Sequence, residues 1–340
     1  AMLVVPQFFL VHPYLHLLIV APLLVWTGCQ RSLLMAQMSP EESQVETVTK
    51  KDAMKFPLIG SAVLFSLYIV VKLVKKEYLD ALISIYFSVL GALGMFGCIQ
   101  VPVTELLGMG GLTQYPVHFN YQFWRKQEAK EPISFKFNLL DVVILAGCGS
   151  LSVAYAITKA WYLNNALGCA FSVQGIEMLS IGSFAIGVIL LAGLFVYDVF
   201  WVFGTEVMVA VAKGLNAPVK ILFPKALGVK PLPFSMLGLG DIVIPGIFVA
   251  LMLRFDHKQG FTSTPYFKAN FVAYVLGLVT TVGVMHFFDA AQPALLYLVP
   301  ACIGAALLTA VSRGELQLLL KYSEEKTEEQ AAVAEEKKEK

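Results

Sequence analysis

The sequence predicts an all-α polytopic membrane protein with about nine transmembrane helices. Of its 340 residues, 57% are hydrophobic and 14% charged, where an ordinary soluble domain carries about 25% charged residues. The mean hydropathy is +0.71. Apolar runs recur along the chain at close to the 20 or so residues that a helix needs to cross the hydrocarbon layer.

The first run spans residues 3 to 27. No basic segment precedes it, and it is longer than a cleaved leader's apolar core, so it reads as a retained span. The next runs cover 56 to 74, 79 to 103 and 138 to 157. Gly91, Gly94 and Gly97 in the third allow close helix approach, within the chain or between copies in a homo-oligomer. A fifth run, 160 to 179, is the weakest, because Asn164, Asn165, Gln174 and Glu177 interrupt it. The last four cover 181 to 203, 233 to 254, 269 to 288 and 292 to 311. Polar connectors fill 28 to 55, 104 to 137 and 204 to 232, and no repeat of fixed period is found. This organisation divides the chain into helices 1–5 at residues 1–180, helices 6–9 at 181–312, and a Glu- and Lys-rich tail at 313–340 that reads as disordered and cytosolic.

A net charge of +1 offers no basic field for nucleic acid, so the expected partners are the lipid bilayer and molecules embedded in it. Cys29, Cys98, Cys148, Cys169 and Cys302 show no CxxC spacing, and His12, His16, His118, His257 and His286 form no HExxH-like pair. No metal and no cofactor are expected. With the N-terminus outside, the cytosolic loops hold 13 Lys and Arg against 8 opposite, which favours a lumenal N-terminus and a cytosolic C-terminus. The chain ends Lys337-Lys338-Glu339-Lys340, a spacing like a dilysine retrieval signal.

Asp198 and Asp241 lie inside long apolar runs, where a carboxylate costs at least a few kcal/mol and is by default a functional candidate. Facing each other, two carboxylates about 3 Å apart share one proton and titrate as a pair. The ionised member can deprotonate a water while its partner protonates a peptide carbonyl, giving a bell-shaped pH profile. Tyr197 stands beside Asp198. Gly238 and Gly240 flank Leu239 just before Asp241 and let the backbone unwind or a substrate strand approach. Pro245 and Gly246 follow about one turn later, and Gln292-Pro293-Ala294-Leu295 opens the last run.

Together these segments resemble the signal peptide peptidase family of intramembrane aspartyl proteases, relatives of presenilin. The family's Tyr-Asp, Gly-Leu-Gly-Asp and Pro-Ala-Leu motifs match Tyr197-Asp198, Gly238-Leu239-Gly240-Asp241 and Pro293-Ala294-Leu295, on the sixth, seventh and ninth runs. The longer stretches YDVFWVFG from Tyr197, LGLGDIVIPGI from Leu237 and QPALLYLVP from Gln292 carry the likeness further. The short 204–232 connector argues against a presenilin, and the absence of an Asn-X-Ser/Thr sequon is a departure from some relatives. The resemblance implies a presenilin-like fold, catalytic Asp198 and Asp241, and site-shaping roles for Tyr197, Gly238, Leu239, Gly240, Gln292, Pro293, Ala294 and Leu295. It also implies an endoplasmic reticulum enzyme, without an obligate protein cofactor, that cuts remnant signal peptides and type II or tail-anchored membrane proteins. The alternatives are a secondary transporter, whose broken helices also carry midplane acids, and a catalytically silent homologue that binds membrane proteins.

The remaining polar residues read as boundary groups. Asp80, Asp141, Asp256 and Asp289 fall at span ends, Glu177 is taken as interfacial, and His257 and Lys258 as a solvated loop. Phe195, Tyr197, Phe200, Trp201 and Phe203 read as helix packing and interfacial anchoring.

Overall fold

Helix starts follow capping signals written in the sequence. In a computed structural model, which describes residues 12–38, 46–108, 115–119, 133–214, 217–225, 233–288 and 292–324, α1 (Pro13–Gln37) opens on a proline. Its missing N–H is no loss in a first turn. Strand β1 (Glu46–Val48) precedes α2 (Lys50–Leu73), which starts from a capping box of Thr49 and Asp52. Next come α3 (Lys76–Leu106) and a hairpin of β2 (Tyr115–Phe119) and β3 (Ile133–Phe137). A second capping box, Asn138 with Asp141, starts α4 (Leu139–Thr158). Then α5 (Trp161–Met178) runs into β4 (Leu179–Ile181), which pairs in parallel with β1. Ser183 caps α6 (Phe184–Phe203) by accepting the Ile186 N–H. After α7 (Val207–Gly214), the antiparallel strands β5 (Lys220–Pro224) and β6 (Phe234–Gly238) lead into α8 (Gly240–Lys258). The described chain finishes with α9 (Pro265–Phe288), α10 (Leu295–Ser312) and α11 (Leu316–Leu320).

Each of the nine apolar runs holds a long helix, and seven of these are long and apolar enough to cross a membrane. The two that fall short, α5 and α8, are interior. Every residue of α8 from Pro245 to Asp256 is buried, and α1, α5, α6, α9 and α10 all pack on it. By contrast, Ala53 is the one buried residue of α2, whose apolar side chains point outward as a lipid-facing helix requires. A helix shielded by other helices need not be uniformly apolar, because protein groups can satisfy its polar side chains.

The structure corrects several expectations. The seventh run, drawn as a helix from 233, is strand β6 to Gly238 and helix only from Gly240. Connectors 28–55, 104–137 and 204–232 contain strands, and three two-stranded sheets accompany the helices among the described residues. Glu177 is not interfacial: it is 4% exposed and holds Arg31 through contacts of 2.6 and 3.0 Å. The same guanidinium donates to the Gly97 and Cys98 carbonyls of α3. Asp141 and Asp256 are also buried rather than solvated. Asp141 accepts from the Asn138 N–H and Gln100 Nε2, and Asp256 from the Tyr266 and Phe267 N–H groups that open α9. Asp289 lies outside the described residues.

Arg254, counted among the loop cations, is buried and donates to Ser32, Ser180 and Glu324. The tail drawn from residue 313 is therefore structured as far as Glu324, whose N–H also donates to the Gly182 carbonyl at 2.7 Å. The Arg313 guanidinium, hydrogen-bonded to Glu315, holds that carboxyl below the usual range. Residues 325–340, with Lys337 and Lys338, lie outside the described residues. Gly91, Gly94 and Gly97 of α3 lie against Leu167, Phe171 and Gln174 of α5, so their close approach is used within the chain.

Candidate active site

Three helix segments converge on the two acids. Asp198 sits in the C-terminal half of α6, 4% exposed, and Asp241 in the first turn of α8, only partly buried. The two helices that carry them pack on one another. The third segment is the start of α10, where the Leu295 N–H donates to Asp198 Oδ2 at 3.2 Å. That amide is one of the first-turn donors a helix leaves unpaired, and an anion at this end also meets the positive pole of the helix dipole. The Pro293-Ala294-Leu295 segment thus touches the acid directly through its backbone. All three of its residues are buried, and the Gln292 side chain beside them accepts the Tyr297 hydroxyl at 3.3 Å.

The glycines do different work from unwinding a helix. Gly238 ends β6 opposite Lys220, and the Leu239 N–H extends the ladder to the Val219 carbonyl at 3.0 Å. The Gly238 backbone approaches the Asp241 carboxylate so closely that a Cβ there would stand 3.3 Å from Asp241 Oδ2. Among the described residues, a Cβ at Gly240 would meet nothing within 4 Å, which leaves open space beside Asp241. The strand therefore delivers its edge to the carboxylate. Tyr197 turns elsewhere: its ring lies over Gly60 of α2 and 6.4 Å from the Trp201 ring, while Trp201 Nε1 donates to Ser61.

Sequence reasoning passed over Tyr274 of α9. Pro245 has no N–H to give to the carbonyl four residues back, which belongs to Asp241. The Tyr274 hydroxyl, on a fully buried ring, donates to that carbonyl at 3.5 Å. A tyrosine in an apolar run gives no hint of this; the clue is the proline four residues after the acid. Asn164 and Asn165, noticed only as interruptions, bond to strand β5. Among the described residues no cluster of three or more His, Cys, Asp or Glu is placed to hold a metal ion.

Comparison with known proteins agrees with this arrangement. The family model described as "Signal peptide peptidase" matches residues 40–326. The chain is 43% identical to "Signal peptide peptidase" of Homo sapiens over 328 residues, covering 95% of this chain and 86% of the relative. Against the Mus musculus protein of the same name it is 42% identical, with coverage of 96% and 87%. "Intramembrane protease 2" of Caenorhabditis elegans is 45% identical over 216 residues, covering 59% of this chain and 46% of that protein.

Proposed function

This chain belongs to the signal peptide peptidase family, and we propose that Asp198 and Asp241 are the catalytic pair with which it hydrolyses peptide bonds inside transmembrane segments. It is a multi-pass membrane protein and a peptide hydrolase, which sets aside the transporter reading. The observation that supports the residue assignment is the Leu295 N–H at the start of α10 donating to Asp198 Oδ2, on a helix that packs against the α8 in whose first turn Asp241 lies.

In the proposed reaction one carboxylate is ionised and takes a proton from a water, whose oxygen attacks the scissile carbonyl carbon. The other, protonated, gives its proton to the carbonyl oxygen. The tetrahedral intermediate collapses as a proton passes to the leaving nitrogen, and no covalent enzyme intermediate forms. The Leu295 N–H holds Asp198 in place, and the open side at Gly240 supports entry of water and substrate at Asp241.

A helical peptide bond is covered by its own turns, so a substrate must extend before it is cut. The edge of β6, with Leu239, Gly240 and the Gln292–Leu295 segment around it, supports docking of such an extended stretch as an added strand. Membrane-embedded signal peptides and type II or tail-anchored segments fit this demand. Residues 181–312 supply the acids and 1–180 the supporting helices. The endoplasmic reticulum, a lumenal N-terminus and a cytosolic C-terminus with Lys337 and Lys338 as a retrieval signal complete the reading.

The test compares purified wild type with Asp241→Ala on a labelled signal-peptide-like helix, with fragments identified by mass spectrometry across pH. Wild type should cut with a bell-shaped profile, and the variant should lose at least about a thousandfold in rate. Equal cutting by both proteins, or by neither, would sink the assignment.

A further inference from the structure

Two asparagines on one apolar helix are buried at strand β5 in a way that packing alone does not require. Asn165 is 0% exposed and Asn164 is 5% exposed. Asn165 Nδ2 donates to the Leu222 carbonyl at 2.7 Å while its Oδ1 accepts the Leu222 N–H at 2.8 Å. Asn164 Nδ2 donates to the Lys220 carbonyl at 2.8 Å and to Asn165 Oδ1 at 3.3 Å. A carboxamide presents an N–H and a carbonyl oxygen side by side, as a strand edge does, so Asn165 pairs with both the N–H and the C=O of Leu222.

The register shows which edge this closes. In an antiparallel pair, successive residues turn their backbone groups alternately toward and away from the partner. Val219 bonds Leu239 and Lys225 bonds Pro233, so the odd-numbered residues of β5 face β6 and the even-numbered ones, Lys220 and Leu222, face away. Those are the groups that the asparagines take. On β6 the same alternation leaves the backbone of Phe234, Met236 and Gly238 as the hairpin's remaining edge, ending at Asp241. Helix α5 also lies beneath both halves of the assembly. Gly168 sits under Ile221 and Leu239, and a Cβ at Gly175 would meet Val243 Cγ1 at 3.0 Å, two residues on from Asp241 in α8.

We infer that Asn164 and Asn165 are positioning residues for proteolysis, closing the outer edge of β5 so that the β6 edge meets an extended substrate at a fixed register to Asp241. This rests on the reading of Asp198 and Asp241 as the catalytic pair. An edge with unmet N–H and C=O groups is a template for any strand, so a closed β5 directs pairing to β6. Two asparagines buried without these bonds would each carry a desolvation penalty, which the fit to Lys220 and Leu222 offsets.

The experiment uses the full chain in detergent, with Asn165→Leu, Asn164→Ala, Asp241→Ala and wild type on one labelled transmembrane peptide. Initial rates, product masses and hydrogen exchange at the Leu222 amide are read together. Asn165→Leu should cut about tenfold or more slowly, the scale set by losing buried amide hydrogen bonds. Its products should spread over neighbouring bonds, and Leu222 should exchange faster although the protein remains folded. Asn164→Ala, which keeps the Leu222 pairing, should give a smaller loss and the same direction of spread, and stands as the test if Asn165→Leu does not fold.

A folded variant that cuts the same bonds at the wild-type rate overturns the proposal and leaves Asn165 a packing residue. Failure of the catalytic reading is seen separately, as cutting by Asp241→Ala equal to wild type. In that event, unchanged Leu222 exchange in Asn165→Leu would overturn the clamp as well.

Discussion

Helix α8 carries an acid near each end, and the fold treats them in opposite ways. Asp256 is completely buried and both of its oxygens are occupied, by the Phe267 N–H at 2.7 Å and the Tyr266 N–H at 3.3 Å. Those amides would otherwise be unpaired in the first turn of α9, so the carboxylate joins two helices and finishes a helix end. Asp241 has the Gly238 backbone on one side, α6 with Asp198 packed on its own helix and, among the described residues, open space at Gly240. An acid with its acceptors filled belongs to the scaffold. One with acceptor capacity to spare, next to another acid, is placed to exchange protons.

The sharpest way to break this contrast is to neutralise each acid in turn. Asp241→Asn should abolish cleavage, a loss of about a thousandfold or more, and should unfold no earlier than wild type because a neutral amide of the same shape costs less to desolvate than a carboxylate. Asp256→Ala should do the reverse, costing about 2 kcal/mol of stability for stranded amides while the folded fraction cuts normally. Thermal unfolding and initial rates on the same preparations decide it. A folded Asp256→Ala that cannot cut would erase the distinction between the two ends.

A second test stays at the Asp256 end. Arg254 is 5% exposed and Glu324 20% exposed by side chain, joined at 2.9 Å. Removing one member of a buried pair strands the other, so Glu324→Ala should lower stability by about 3 kcal/mol, partly relieved by the bonds from Arg254 to Ser32 and Ser180. Cleavage by the folded protein should be unchanged. Roughly 13 residues of helix at 1.5 Å each separate Arg254 from Asp241, about 20 Å along α8. A catalytic defect without a stability defect would mean that the two ends communicate.

How far the sequence reached follows from the same physics. Asp198 and Asp241 stood out because a carboxylate in an apolar run is costly wherever the run folds, and the order of the runs survived intact in the nine long helices of the described residues. Burial was not legible for Glu177, Asp141 and Asp256. Position at a span end suggests water, but their partners sit on other helices: Arg31 and Gln100 far off in sequence, and the first amides of α9 beyond a turn. The hairpin was equally hidden. Phe234–Gly238 is apolar and continuous with α8, so composition alone joined strand to helix, and only its pairing with Lys220–Pro224 separates them.

The smallest expected effect probes how firmly the Asp241 end is held. The hydroxyl of Tyr274 is the donor that stands in for the N–H missing at Pro245, at a distance of 3.5 Å from the Asp241 carbonyl. Tyr274→Phe removes only that hydroxyl from a fully buried ring, so packing is kept and the cost should be about 1 kcal/mol. Because the carbonyl shares a residue with the carboxylate, looser anchoring should appear as a fall of about threefold in kcat with KM unchanged. The decisive control is Pro245→Ala, which restores a backbone donor four residues after Asp241. In that background the hydroxyl has no vacancy to fill, so Tyr274→Phe should cost little more. If the tyrosine change is as harmful with alanine at 245 as with proline, the hydroxyl acts on something other than the Asp241 carbonyl, and the hold on this end of α8 comes from packing alone.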